Sequence, residues 1–191
     1  HVNTWSVPCS QWLSRQAKRS GLLRGISVRD IPNPIDSRFF SPQDRQSARK
    51  RLHLPDDRRL VLFVSQRVTD QRKGMDYFVE AVARMAEEHP EMKEHTGIAI
   101  LGGHAEELEG RLALPVYPIG YVSDQQRIRD VYNAADVFVL PSLEDNLPNT
   151  IMEAMACGVP CVGFRVGGIP EMIDHRRNGY VAAERVARDL A

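Results

Sequence analysis

The chain has 191 residues, enough for one domain with a sizeable core, and its 42% apolar and 26% charged content excludes neither a globular fold nor any single class of ligand. Twenty-five basic residues balance 25 acidic ones, which removes a global electrostatic case for nucleic acid or an anionic membrane; an anionic ligand has to be held locally. Cys9, Cys157 and Cys161 are too few for a disulfide scaffold and read as packing residues in a reducing compartment, and no apolar run approaches the roughly 18 residues of a membrane span.

In chain order, Cys9–Ser20 reads as a helix, Ser27–Ile31 as a strand opening the sheet, Pro32-Asn33-Pro34 as a turn and Arg45–Leu52 as a second helix. From Leu60 onward short apolar runs alternate with helix-period stretches, the pattern of βαβ units around a parallel sheet. Strands are expected at Leu60–Ser65, Ile98–Leu101, Val137–Leu140 and Cys161–Phe164, with shorter pieces near Pro118 and Tyr180. Met75–Glu88 puts Phe78, Val79, Val82, Met85 and Ala86 on one face, and Gln125–Ala134 does the same with Ile128, Val131 and Tyr132, so both are predicted to cover the sheet. Glu106–Leu112, Thr150–Cys157 and Ile169–Asp174 complete the helices. The fold class is α/β with a mainly parallel sheet. His1 in place of Met, and Ala191 inside the helix-like run from Ala183, lead to the expectation that the chain is cut from a longer protein.

Ligands of open parallel sheets sit outside the carboxyl ends of the strands, so the loops there carry the search for function. Leu140–Cys161 runs from a strand end through the acidic loop Glu144-Asp145-Asn146 into a helix. Pro148 suits a first helical turn, because it has no amide hydrogen to lose, and the following amides of Asn149 and Thr150 would face a phosphate at the positive end of the helix dipole. Asp145 and Glu153, eight positions apart, could grip sugar hydroxyls on either side of a diphosphate, with Glu144 a competitor for the first place. The plainer reading makes Asp145 and Asn146 helix caps and Glu153 a solvated charge. In Phe63–Gly74, Arg67 just past a strand and Lys73 at a helix start could neutralise a departing nucleoside diphosphate; Arg72 competes for either place, and an exposed loop of solvated charges is the alternative.

Rival chemistries find little support. Neither Gly102-Gly103-His104 nor Gly163 with Gly167-Gly168 has dinucleotide-fingerprint spacing, and no phosphate-binding loop ends in Gly-Lys-Ser or Gly-Lys-Thr. Six histidines are scattered, Cys157 and Cys161 have no second pair, and no nucleophile elbow surrounds a serine.

Taken together, the ordered motifs resemble the donor-binding, C-terminal domain of retaining glycosyltransferases of family 4, enzymes with the GT-B fold of two facing Rossmann-like domains. Ile31–Pro42 is similar to that domain's opening segment, Arg67 and Lys73 to its diphosphate-binding pair, Gly120-Tyr121-Val122 to its base-side loop and Leu140–Cys161 to its acidic signature. Three departures stand out: Asp145 occupies the place of the first signature Glu, the Arg67–Lys73 interval is one residue longer, and Pro148 replaces Gly.

The resemblance implies a three-layer Rossmann-like domain over residues 25–191, led into by residues 1–24 from an N-terminal acceptor domain. It implies Lys73 and Arg67 on the diphosphate, Asp145 or Glu144 on the donor hexose, Glu153 on the ribose, the Asn149 and Thr150 amides on phosphate or hexose, and the Gly120–Val122 backbone on the base. The reaction implied is hexose transfer from a nucleoside diphosphate sugar to a hydroxyl of a sugar or lipid-linked acceptor, with retention and without a metal or cofactor. The enzyme implied is cytoplasmic, working at the cytoplasmic membrane face where the acceptor is lipid-linked, and has no nucleic-acid partner. A nucleotide-sugar epimerase or sugar phosphorylase on the same architecture, excluded by detecting an acceptor glycoside, is one alternative. A non-catalytic sugar-nucleotide-binding module, marked by binding without turnover, is the other.

Overall fold

A computed structural model describes residues 4–108 and 110–191. The elements, in order, are β1 (Trp5–Ser6), α1 (Gln11–Arg19), β2 (Ser27–Val28), α2 (Arg45–Leu52), β3 (Arg59–Arg67), α3 (Met75–Glu88), α4 (Met92–His95), β4 (Thr96–Gly103), β5 (Val116–Gly120), α5 (Gln125–Ala134), β6 (Val137–Leu140), α6 (Asn149–Ala156), β7 (Cys161–Phe164), α7 (Ile169–Met172), β8 (Gly179–Ala182) and α8 (Ala187–Leu190).

Six strands form one parallel sheet in the order β5-β4-β3-β6-β7-β8. The central strands are apolar nearly throughout because both faces are covered: Leu60, Ile98, Ile100, Phe138 and Phe164 are wholly buried. One face packs on α3, with Phe63, Met75, Phe78 and Val82 in one cluster; the other packs on α2, α5 and α6, with Ala48, Val131, Tyr132 and Ile151 in a second. Asp136 locks the start of the sheet, accepting from the Leu60 amide at 2.7 Å and from the buried Arg49 guanidinium at 2.7 Å. Leaving either partner alone in that setting would cost more than a surface ion pair contributes.

Four sequence expectations are corrected. Ser27–Ile31 does not open the sheet: only Ser27–Val28 is a strand, and it pairs with Trp5–Ser6 in a separate two-stranded parallel ladder. The expected helix Glu106–Leu112 is a 3₁₀ turn over Ala105–Leu108, with Glu109 outside the described residues. The first main strand runs two residues past Ser65, so Arg67 ends it instead of following it. Pro148 is the N-cap of α6, with extended ψ of 118°, and Asn149 is the first helical residue.

The order in which strands are laid down reverses between β3 and β6, which themselves run parallel. The chain steps outward from β3 to β4 and β5, then crosses back to β6 and steps out the other way to β8. The helices leaving β3 and β6 therefore go to opposite faces, and their diverging starts open a crevice at the carboxyl ends of these two strands.

Candidate functional site

Two loops meet in that crevice. At the end of β3 the register slips between Val64 and Arg67, and the Ser65 hydroxyl donates to the Arg67 carbonyl at 2.6 Å. Asp70 caps the following 3₁₀ turn, Gln71–Lys73, by accepting from the Arg72 amide at 3.0 Å. Asp70 also holds the Arg72 guanidinium at 3.0 Å, and these contacts keep the Asp70 carboxyl below its ordinary range. Gly74, in the left-handed region at φ 70°, ends the turn and starts α3; a Cβ there would lie 1.9 Å from the Pro141 carbonyl oxygen. Only glycine lets the two loops touch at this point. The Leu143 amide donates to the Arg72 carbonyl at 2.8 Å along the same seam.

Across the seam, Lys73 Nζ donates to Asp145 Oδ2 at 2.7 Å, and the wholly buried Ser142 hydroxyl donates to the same oxygen at 3.2 Å. The pair is largely sheltered, with the Lys73 side chain 28% and the Asp145 side chain 14% exposed. The acidic loop is pinned from its other side as well. A Cβ at Gly167 (φ 53°) would fall 1.5 Å from the Asp145 carbonyl oxygen, and one at Gly168 2.0 Å from that of Asn146. The Asn146 side chain accepts from Ser10 and donates to Cys9 Sγ at 2.9 Å, so the segment before α1 also touches this loop. The α1 amides of Gln11 and Trp12 donate to Glu171 at 2.8 and 2.5 Å.

Two hollows flank the Lys73–Asp145 contact, and a third lies against α6. One of about 400 Å³ is lined by Ser65, Arg67, Asp70, Arg72 and Lys73. Arg67 is exposed and has no ion-pair partner among the described residues, whereas Arg72 is bound to Asp70. A second, about 540 Å³, is lined by Trp12, Glu144, Asp145, Arg165, Gly167 and Arg185. Glu144 is exposed here, while Asp145 is turned into the Lys73 contact. The third, about 280 Å³, lies between Pro34–Phe40 and α6 and includes Asn149 and Glu153.

At the start of α6 the amides of Asn149 and Thr150 have no acceptor within the helix. The Asn149 side chain accepts from Asn33 at 3.0 Å, which draws the Pro32-Asn33-Pro34 turn against the helix start. Glu153, one turn on, is half-buried and accepts from the Tyr132 hydroxyl at 2.7 Å. Burial pushes the Glu153 carboxyl up; the Tyr132 hydrogen bond pulls the other way. Gly120 (φ 76°) and Val122 lie at the end of edge strand β5 and line none of these hollows; Val122 packs its side chain on the core.

Arg67, Lys73 and Asp145 are thus brought together. Glu144 shares a hollow with Asp145; Asn149, Thr150 and Glu153 lie on α6, with Asn149 and Glu153 on a separate hollow; and Gly120 and Val122 line none of the three. Tyr132, Ser142, Gly74, Gly167 and Asn33 shape the site without having been singled out for it from the sequence. Among the described residues no group of His, Cys, Asp and Glu is arranged to hold a metal ion.

A parallel sheet wound both ways from one switch point, with basic and acidic side chains gathered there, defines a Rossmann-like domain of the kind found in GT-B glycosyltransferases. Residues 58–191 match the family Glycosyl transferases group 1, and the chain belongs to it. It is 33% identical over 175 residues to D-inositol 3-phosphate glycosyltransferase 2 of Catenulispora acidiphila, an alignment that covers 83% of this chain and 40% of that protein. Among solved structures it is similar to sucrose-phosphate synthase from Thermosynechococcus elongatus, with TM-score 0.80, 24% identity, and coverage of 97% of this chain and 47% of that one. It is also similar to Anabaena HepE in complex with UDP and glucose, with TM-score 0.76, 22% identity, and coverage of 96% and 50%. The chain therefore spans less than half the length of the curated relative it matches. No helix among the described residues is long and apolar enough to cross a membrane.

Proposed function

We propose that the chain is the donor-binding half of a retaining glycosyltransferase of family 4, which moves a hexose from a nucleoside diphosphate sugar to a hydroxyl acceptor in polysaccharide or glycolipid biosynthesis. The observation that carries this reading is the 2.7 Å contact between Lys73 and Asp145 at the switch point. It joins a cation suited to a diphosphate to a carboxylate suited to sugar hydroxyls, 72 residues apart in sequence. The UDP and glucose in the HepE structure lend support from a protein of similar fold.

In this reading residues 25–191 bind the donor, and residues 1–24 lead in from an acceptor-binding domain. Arg67, Lys73 and the free amides of Asn149 and Thr150 stabilise the charge growing on the leaving diphosphate, doing the work for which other enzymes use a metal ion. Asp145, with Glu144 beside it, orients the hexose; Glu153 accepts from the ribose; the Gly120–Val122 backbone meets the base. No nucleophilic carboxylate is required on this domain, because in the retaining reaction proposed the leaving phosphate assists attack on the same face. The reaction takes place in the cytoplasm. The 191-residue chain alone binds donor without transferring sugar, since it presents one wall of a two-walled cleft, and loss of acceptor positioning forfeits about 7–11 kcal/mol of barrier lowering.

A thermal-shift screen against UDP-, GDP- and ADP-sugars tests the proposal. At least one should raise Tm, because a ligand that binds only the native state stabilises it. Failure of all three at millimolar concentration would overturn the donor-binding role.

A further inference from the structure

We infer that Tyr132 is a positioning residue for Glu153, fixing that carboxylate in the orientation in which it meets a ribose diol. The inference rests on the ribose role proposed for Glu153 and adds to it a residue with no direct access to ligand.

Tyr132 sits in α5 and is wholly buried, which is unusual for a tyrosine unless its hydroxyl has a partner. Its ring meets Phe40 edge-on at 6.3 Å and Phe138 at 6.0 Å, so neighbours on two sides hold it in place. The hydroxyl reaches Glu153 Oε2 at 2.7 Å, and no other hydrogen bond among the described residues reaches the Glu153 carboxylate. One carboxylate oxygen is therefore fixed from inside the protein, and Glu153 itself lies on the wall of the 280 Å³ hollow. A freely rotating glutamate would have to be ordered when ligand binds; this one is ordered beforehand.

The same contact also acts on the charge of Glu153, against the larger effect of burial. Burial raises its pKa and the Tyr132 hydroxyl lowers it. Burial, then the Glu153 charge, holds the Tyr132 phenol well above its ordinary range, so it stays a donor wherever Glu153 titrates. The other groups around the pair are few. Cys157 at the C-cap of α6, pushed up to about 11, and Cys161 on β7, pushed up to about 12, remain neutral thiols. Arg129 on α5 acts on Cys157, and Asp36 lines the same hollow as Glu153. Losing the hydroxyl should therefore raise the pH at which Glu153 becomes a carboxylate, and binding that needs the carboxylate should fail earlier as pH falls.

The test is calorimetric binding of UDP, GDP and ADP to the 191-residue chain from pH 5 to 8, carried forward with the tightest binder. Tyr132→Phe should weaken binding about tenfold at neutral pH and move the acid limb up by about one pH unit, as expected for losing a hydrogen bond to a charged group. Glu153→Gln should weaken binding and flatten the acid limb. If Glu153→Gln weakens binding but Tyr132→Phe leaves the pH profile in place, the positioning role is overturned and the ribose role stands. If Glu153→Gln has no effect, or none of the three nucleotides binds, both fall. Should Tyr132→Phe not fold, wild-type chain carrying 3-fluorotyrosine, a stronger donor, should move the acid limb to lower pH; an unmoved limb overturns the inference.

Discussion

Replacing Lys73 with alanine removes from the crevice the cation that touches Asp145 and leaves that carboxylate, among the described residues, with the Ser142 hydroxyl as its remaining donor. Lys73 Nζ is 2.7 Å from its carboxylate partner and the side chain is about a quarter exposed, so the site lies between a screened surface pair and a desolvated one. A hydrogen bond to a charged group in such a setting contributes about 1.5–3 kcal/mol, which predicts a roughly 10- to 150-fold loss of nucleoside diphosphate affinity. Asp145, no longer neutralised, would also repel the phosphates. The matching nucleoside reaches none of this charge, and its affinity should change by less than about twofold. Calorimetry on wild type and Lys73→Ala with both ligands, at two salt concentrations, reads the difference; the diphosphate effect should shrink as salt rises. Equal losses for nucleoside and nucleoside diphosphate would refute a phosphate role for Lys73.

Three further predictions concern the acidic loop and α6. Asp145→Asn should cost roughly tenfold in sugar-dependent affinity, as for one hydrogen bond to a charged group, and Glu144→Gln should cost less because its side chain is exposed; the reverse ranking in calorimetry would hand the hexose to Glu144. Gly167→Ala combines a left-handed backbone with a Cβ 1.5 Å from the Asp145 carbonyl, so it should lose on the order of 3 kcal/mol and lower Tm by roughly 6–12 °C; a shift under a degree would show that the loop yields freely. Glu153 has a raised pKa in the native state, so its protonation favours folding below the unfolded value and that contribution is lost as pH rises through the native value. Glu153→Gln should therefore raise Tm at pH 7 and do little at pH 4, and a gap independent of pH would contradict the burial argument.

Much of the fold was legible because buried parallel strands leave few alternatives. Val137–Leu140 and Cys161–Phe164 match their expected bounds, each an apolar run with Pro141 or Pro160 beside it. Ser27–Ile31 misled because a short run next to a turn says nothing about its partner; two residues of it found Trp5–Ser6. Asn149, Thr150 and Glu153 were legible from the helix pattern after the acidic loop. The Lys73–Asp145 contact was not, since it depends on β3 lying beside β6, an adjacency that spacing along the chain does not encode. Tyr132 was legible as a core residue of α5 but not as the partner of Glu153, because periodicity locates a ring and not the end of its hydroxyl. Gly167 and Gly168 drew notice only for failing a dinucleotide spacing, yet they leave the room that the acidic loop fills.

The confinement of that loop between Gly74 on one side and Gly167 and Gly168 on the other bears on redesign of the domain. With backbone pressed against backbone on both flanks, lengthening the loop at 141–147 would force α3 and α7 apart, whereas exchanging side chains that project into the larger hollow disturbs no such contact. Libraries built to change what the larger hollow binds should accordingly hold the three glycines and the loop length fixed and vary Glu144, Arg165 and Arg185. Folded variants should be common in such a library and rare in one that randomises Gly74, Gly167 or Gly168.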